Sequence, residues 1–449
     1  MILLSNRKRK ARTSAKIFTA VAIFALLCSA ATFAQDADLS DAPAESETRT
    51  LTIEQAVNYA LENNVSIAQS QITLSAAKRS KDTSWNSVSP SMSVGAGLTI
   101  PTDDSNYDYS YNVNASISLS LTPNLYTDIK SAALAWEQGK ITFDEAVRAI
   151  ELSVRQTFYG LLYEKENIAL QEENLVIAKS QYETNLAKYN MGRLSEIDVL
   201  SAEVNYKSKI PDVENSKITY ENDIAAFKQL LGMDNVDEQI ELTGSLDDYK
   251  VPDEVTTEGI EITSSTIKLL ESQLESAKTG VLDARFSAYG PTLSAGWSWK
   301  NTWTEPGSAE ENSSSITLSA TIPLDGLLPW SARAVNIASA KDSVQDYELQ
   351  LKDAKTSLQI DIDSALRSIK QSQAAISYRR ANVELAQKSY EMTQVAYNSG
   401  TQDLLTLQTA DATLLEAQVD LQNEIYTLIT EVLDFEKLIG VPFGTIGTN

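Results

Sequence analysis

Residues 91–100 read SMSVGAGLTI, with an apolar side chain at every even position and Ser, Gly or Thr at every odd one. Residues 111–121, YNVNASISLSL, alternate in the same way. Alternation with a period of two predicts β-strands with one apolar and one polar face. About ten residues is also the length of a strand that crosses a bilayer at a tilt. We therefore predict membrane strands; the alternative is a half-buried sheet in a soluble domain.

The same alternation returns in the second half of the chain, where Trp, Leu and Ile face Ser, Thr and Gly, with Asn301 as the exception. The four predicted strands are 91–100, 109–121, 292–304 and 314–322. Four strands are too few to close a barrel, since the smallest barrels have about eight. An open sheet edge is not tolerated in lipid. Membrane insertion would therefore require several copies of the chain.

A duplication relates the two halves. The motif YNMG at 189–192 recurs as YNSG at 397–400, and FKQLLG at 227–232 recurs as FEKLIG at 435–440. Both pairs lie 208 residues apart. This period is far longer than the 20–50 residues of a solenoid repeat. It indicates the duplication of a whole structural unit.

Long helices follow each pair of strands. Apolar residues recur at every seventh position from Val154 to Tyr189 and from Ile362 to Tyr397. A seven-residue period predicts helices that supercoil against neighbours. A first helix is predicted at 53–85, because Ile53, Val57, Ala60 and Leu61 share one helix face. The other predicted helices are 126–190, 194–231, 330–398 and 402–438. At ~1.5 Å per residue, each long helix would reach roughly 100 Å, and Pro211 should bend the shorter helix of the first half.

The N-terminus has the pattern of an export signal. Residues 1–34 begin with a basic stretch, continue with the apolar run 17–28 and end in small residues. This arrangement predicts a secretory signal peptide; the alternatives are an uncleaved anchor and lipidation at Cys28. No later apolar run reaches 18 residues. A mature chain that enters a membrane must then do so as β-strands.

The composition excludes most enzyme chemistry. The chain has no histidine, and its single cysteine is Cys28. Serine triads, Cys–His pairs, Cys or His zinc sites and disulfides are therefore excluded. A hydrolase that uses carboxylates alone is left as a weak alternative, because the acidic residues lie mainly on predicted helix faces. The net charge of −24 argues against nucleic-acid binding. We predict no catalytic, cofactor or metal site.

These observations give a linear organisation. Acidic and polar residues around Gly244 and Pro252 mark the boundary between the halves. The predicted segments are the signal peptide 1–34, an N-terminal tail 35–50, a first repeat 51–242, a linker 243–258, a second repeat 259–441 and a C-terminal tail 442–449.

The sequence resembles the TolC family of outer-membrane efflux proteins. The resemblance rests on LTIEQAVNYALENN at 51–64, a proline before each hairpin (Pro90 and Pro291), Pro-Leu at 323–324 and the two Tyr-Asn-x-Gly turns. Together these elements cover essentially the whole mature chain.

The resemblance implies a mixed fold of α-helices and transmembrane β-strands. A homotrimer would form one 12-stranded barrel in the outer membrane and a coiled-coil helical tunnel in the periplasm. Such proteins are passive exit ducts of tripartite efflux or type I secretion systems. They dock with a periplasmic adaptor protein and an inner-membrane efflux pump or ABC transporter. The alternative is a non-conducting coiled-coil envelope scaffold.

The resemblance also assigns candidate residues at the periplasmic tip. The turns at Gly192 and Gly400 would dock the adaptor, and both glycines should adopt positive φ to reverse the chain.

By position, Asp198 and Tyr397 match gate residues of the family. The family's gate arginine would fall at Gln402, so a salt-bridged gate is not expected in its usual form. Asp403 and Glu196 are the candidates to replace the missing charge.

Overall fold

The computed structural model describes residues 49–100, 110–235, 238–257, 261–304 and 311–447. The predicted signal peptide 1–34, Cys28 and nearly all of the tail 35–50 lie outside this part of the chain. So do residues 101–109 and 305–310, between the paired strands.

The described part of the first repeat contains four α-helices and four β-strands. In chain order they are β1 (Arg49–Leu51), α1 (Ile53–Asn63), α2 (Val65–Asp82), β2 (Ser91–Thr99), β3 (Ser110–Leu121), α3 (Asn124–Asn190), α4 (Glu196–Leu231) and β4 (Ile240–Leu242). The short strands β1 and β4 pair in parallel, so the two ends of the repeat are joined.

The second repeat follows the same plan with fewer elements. They are α5 (Ser265–Tyr289), β5 (Thr292–Thr304), β6 (Glu311–Thr321), α6 (Ala332–Asn398) and α7 (Leu404–Ile439). The long helices α3 and α6 each have 67 residues, and α4 and α7 each have 36. The duplication therefore extends to the lengths of the helices, and each long helix measures about 100 Å at ~1.5 Å per residue.

The helix predicted over 53–85 is wrong as a single helix, because Asn64 divides it. Asn64 has φ −65° and ψ 127°, outside the helical region. Its Oδ1 accepts hydrogen bonds from the backbone N–H groups of Ser66 and Ile67, and its Nδ2 donates to the carbonyl of Leu230 at 2.7 Å. One side chain thus caps α2 and fastens the break to the end of α4. Pro211, in contrast, does not end α4.

The segment predicted as a linker, 243–258, is fastened to the first repeat at its start. The backbone N–H of Thr243 donates to the carbonyl of Leu51 at 3.1 Å. Leu246 is fully buried, and the ring of Tyr249 contacts that of Tyr159 edge-on at 5.4 Å. The apolar side chains at the start of this segment therefore extend the core of the first repeat.

The main core lies where α1, α3, α4 and α7 meet. Phe158 contacts both Tyr159 and Phe227 edge-on, and all three rings are buried. Leu433 of α7 belongs to the same cluster. The second repeat thus contributes to the core of the first, and the two halves pack as one unit.

Two equivalent glycines close the shorter helices. Gly232 ends α4 and Gly440 ends α7, both with φ 78°. A Cβ on Gly232 would overlap the carbonyl of Asn63, and one on Gly440 would overlap the carbonyl of Thr263. These positions require glycine both for backbone conformation and for close approach of a neighbouring chain segment.

We expect Gly232→Ala and Gly440→Ala to destabilise the protein strongly. Left-handed backbone and steric overlap together cost about 2–5 kcal/mol. Thermal unfolding of purified protein in detergent, followed by circular dichroism, should show a lowered Tm. Gly192→Ala is the matched control, because Gly192 also has positive φ but has no atom within 4 Å of an added Cβ. Equal Tm values for all three variants would contradict the close-packing argument.

Candidate functional site

The four longer strands form one antiparallel sheet in the order β2-β3-β5-β6. The central pair, β3 and β5, joins the two repeats, with Ser116 opposite Ser298. The predicted strand 314–322 begins earlier, at Glu311, and ends at Thr321. In an antiparallel sheet, directly opposed residues lie on the same face. The alternation in each strand therefore becomes two continuous faces.

One face of the sheet is a hydroxyl and amide surface. Serine side chains hydrogen-bond in pairs across neighbouring strands, at 2.6–2.9 Å: Ser91–Ser118, Ser93–Ser116, Ser294–Ser319 and Ser298–Ser315. Gly95 leaves space for Asn114, whose Oδ1 would lie 2.9 Å from a Cβ at that position. This wall consists mainly of neutral groups that water can solvate.

The opposite face is mainly apolar and is not covered by the described chain. One row across all four strands consists of Met92, Ile117, Trp297 and Ile316. Val94 is 82% exposed and Ile316 is 78% exposed. Apolar patches of this kind mark contact with lipid or another protein. The row also places Trp297 in the middle of β5, away from the strand end.

The two outer strands each have an unpaired edge. Within the described residues, β2 pairs only with β3, and β6 pairs only with β5. An unpaired edge presents a row of backbone N–H and C=O groups. In lipid these groups require partners, because each unsatisfied group costs several kcal/mol. The sheet is therefore incomplete as a membrane structure in a single chain.

The predicted tip glycines reverse the chain in both repeats. Gly192 has φ 70° and Gly400 has φ 77°. The next backbone N–H closes each turn onto the preceding helix, from Arg193 to the carbonyl of Lys188 and from Thr401 to that of Ala396, both at 2.9 Å. These are the bonds of a glycine helix stop. Both glycines are exposed, so a partner can reach them.

Asp198 and Glu196 lie in the first turn of α4. The helix predicted from 194 begins at Glu196, because Ser195 is its cap. Asp198 Oδ2 accepts a hydrogen bond from Ser195 Oγ at 2.6 Å. Carboxylates stabilise this end of a helix. Among the described hydrogen bonds, none joins Asp198 to Tyr397.

Tyr397 instead binds Asn185, a residue that the sequence analysis missed. The Tyr397 hydroxyl donates to Asn185 Oδ1 at 2.7 Å, and Asn185 is fully buried. The Lys188 ammonium lies 5.0 Å from the centroid of the tyrosine ring. Burial raises the pKa of Tyr397, and the negative charge of Asp198 adds to that rise. Tyr397 therefore links α6 to α3 just above the tip.

Gln402 and Asp403 lie in the turn before α7, which was predicted to begin at 402 and begins at Leu404. Gln402 is exposed. Asp403 caps α7, since its Oδ1 accepts from the hydroxyl and the backbone N–H of Thr406 at 2.6 and 2.8 Å. These hydrogen bonds lower the pKa of Asp403. Its carboxylate therefore has a local role in the helix end.

A polar triad of two buried residues and the half-buried Lys209 joins three helices farther from the tip. Asn174 Nδ2 of α3 donates to Asp411 Oδ1 of α7 at 2.9 Å. Lys209 Nζ of α4 donates to Asn174 Oδ1 and lies 3.8 Å from Asp411 Oδ2. Burial raises the pKa of Asp411, against the opposing effects of Asn174 and Lys209.

The sequence contains a signal for this triad. Leu404, Leu407, Asp411 and Leu414 are all buried and follow the 3–4 spacing of inward-facing positions. A carboxylate at such a position needs a partner. The sequence does not say which helix supplies it.

Neither a metal site nor a membrane helix is found in the described part of the chain. No group of three or more Asp, Glu, His or Cys side chains is arranged to hold a metal ion. No described helix is long and apolar enough to cross a membrane.

Comparison with protein families gives one match. The profile of the outer membrane efflux protein family matches residues 56–233 and 266–441, one segment in each repeat. No similar sequence was found among curated proteins.

Solved structures share the fold at low sequence identity. The Campylobacter jejuni CmeC outer membrane channel is 19% identical, with a TM-score of 0.70 over 86% of this chain and 85% of that one. The Vibrio cholerae outer membrane protein VceC is 15% identical, with a TM-score of 0.69 over 87% and 96%. The open state of the Neisseria gonorrhoeae MtrE outer membrane channel is 19% identical, with a TM-score of 0.68 over 87% and 89%.

We expect Tyr397→Phe to loosen the helices above the tip. The variant leaves the buried Asn185 Oδ1 without its donor, at a cost of about 1–3 kcal/mol. Hydrogen exchange of α3 and α6 amides near the tip should accelerate roughly tenfold. Tyr189→Phe is the matched control, because Tyr189 is the equivalent residue of the first repeat and is 41% exposed. Unchanged exchange in Tyr397→Phe would show that the hydrogen bond does not hold the helices together.

Proposed function

The chain belongs to the outer membrane efflux protein family and is an efflux duct of the outer membrane, not an enzyme; we propose that it is the exit duct of a tripartite efflux or type I secretion system. In this proposal an inner-membrane efflux pump or ABC transporter supplies the energy, and a periplasmic adaptor protein connects it to the duct. The duct itself is passive. Substrates cross the periplasm and the outer membrane inside the duct, without contact with the periplasmic fluid or the lipid.

The observation that supports this proposal best is the two-faced sheet with two unpaired edges. An apolar face suits lipid, and a face of Ser, Thr, Asn and Gly suits a water-filled lumen. Pairing β6 of one copy with β2 of the next satisfies both edges. Two copies would give an eight-stranded barrel, and side chains fill the interior of a barrel of that size. Three copies give twelve strands and leave a channel, so we propose a homotrimer.

The helices fit the same proposal. Helices of about 100 Å would extend from the barrel through the periplasm. The turns at Gly192 and Gly400 would meet the adaptor there, where both are exposed.

We propose a gate between α3 and α6 at that end of the duct. Its members would be the Tyr397–Asn185 hydrogen bond with Asp198 nearby, in place of a salt bridge at Gln402. Glu196 and Asp403 would contribute negative charge at the rim.

Two neighbouring substitutions on β6 test this proposal. We expect purified wild-type protein to give steps of conductance in planar bilayers. Ile316→Lys places a charge on the lipid face, where it costs about 2–4 kcal/mol near the midplane, and should sharply reduce insertion. Thr317→Lys places the same charge on the polar face and should still conduct. A non-conducting scaffold would give no steps with any of the three proteins.

A further inference from the structure

Two charged residues lie on the polar face of the four-stranded sheet. Across the four strands in full, the only Asp, Glu, Lys or Arg residues are Lys300 of β5 and Glu311 of β6. Lys300 lies opposite Asn114 and Ser313, and Glu311 lies opposite Thr302. Since strands rise about 3.3 Å per residue, Lys300 lies roughly 7 Å farther from the strand ends than Glu311.

The neighbours of Lys300 leave its ammonium group unpaired within the described residues. Lys300 is exposed, and no described ion pair or hydrogen bond involves its side chain. The next pair of serines on the same face, Ser298 and Ser315, bond each other at 2.9 Å. Asn114 lies over Gly95, on the far side from Lys300. The charge therefore faces the space in front of the wall.

Repetition by symmetry would turn this residue into a ring. The inference rests on the proposed trimer, in which the polar face lines the lumen. Twelve tilted strands make a wall with a radius of roughly 12 Å. The Debye length is about 10 Å at 0.1 M salt and 3 Å at 1 M. The electrostatic potential of three lysines would therefore extend over most of the lumen at low salt and over little of it at high salt.

We propose that Lys300 is a selectivity-determining residue of the duct. Three Lys300 ammonium groups form a cationic ring in the outer half of the barrel of a chain that is acidic overall. The ring retards cationic solutes and attracts the anionic groups of passing ones. Substrates that carry a carboxylate or phosphate would thus interact with the wall at Lys300, whose direct cross-strand neighbours, Asn114 and Ser313, are neutral.

Ion selectivity tests this inference directly. Reversal potentials are measured in a KCl gradient near 0.1 M, with wild type and three variants of Lys300. We expect Lys300→Gln to raise the K⁺/Cl⁻ permeability ratio about twofold or more and Lys300→Glu to raise it further. At low salt the electric field of the side chain at position 300 is weakly screened and extends across the lumen. Lys300→Arg keeps the charge and should match wild type. Glu311→Gln, the control of opposite sign, should lower the ratio.

The outcomes separate this inference from the proposed function. Differences between variants that shrink in 1 M KCl would support the ring. Lys300→Gln and Lys300→Glu channels that conduct with wild-type selectivity at 0.1 M would overturn it, while leaving the duct intact. Wild-type protein without any conductance steps would overturn the duct and the ring together.

Discussion

Backbone hydrogen bonding in lipid is the constraint on which the rest of this structure depends. The sheet has an apolar face for the membrane, yet β2 and β6 leave their outer edges unpaired within the described residues. Hydrocarbon offers those groups no partner, so in the proposed membrane position the sheet needs other chains to complete it. That requirement leads from the alternation in residues 91–100 to an assembly, and from the assembly to an enclosed polar surface.

The duplication gives the two halves of the chain the same helical plan. Helices of 67 and 36 residues occur in both repeats, and each pair turns at an exposed glycine with positive φ, Gly192 or Gly400. The repeats are not interchangeable, however. Tyr397 holds the buried Asn185, while its equivalent, Tyr189, is exposed. The duplicated helices thus have different contacts at equivalent positions.

Periodic features were predictable from the sequence, and contacts between distant segments were not. Strong alternation placed the strand 109–121 within one residue of Ser110–Leu121, and seven-residue spacing placed the helix 330–398 within two of Ala332–Asn398. The break at Asn64 was missed, because a cap is a local hydrogen-bonding choice inside an otherwise helical pattern. Asn185 was missed because its partner lies 212 residues away.

The number of chains in the proposed duct can be measured. Native mass spectrometry can measure the mass of the intact complex after extraction from membranes in detergent. We expect a single species with three times the mass of the processed chain, because three four-stranded sheets close a channel. A monomer that stays soluble without detergent would contradict it, since its sheet edges and apolar face would then need neither lipid nor a neighbour.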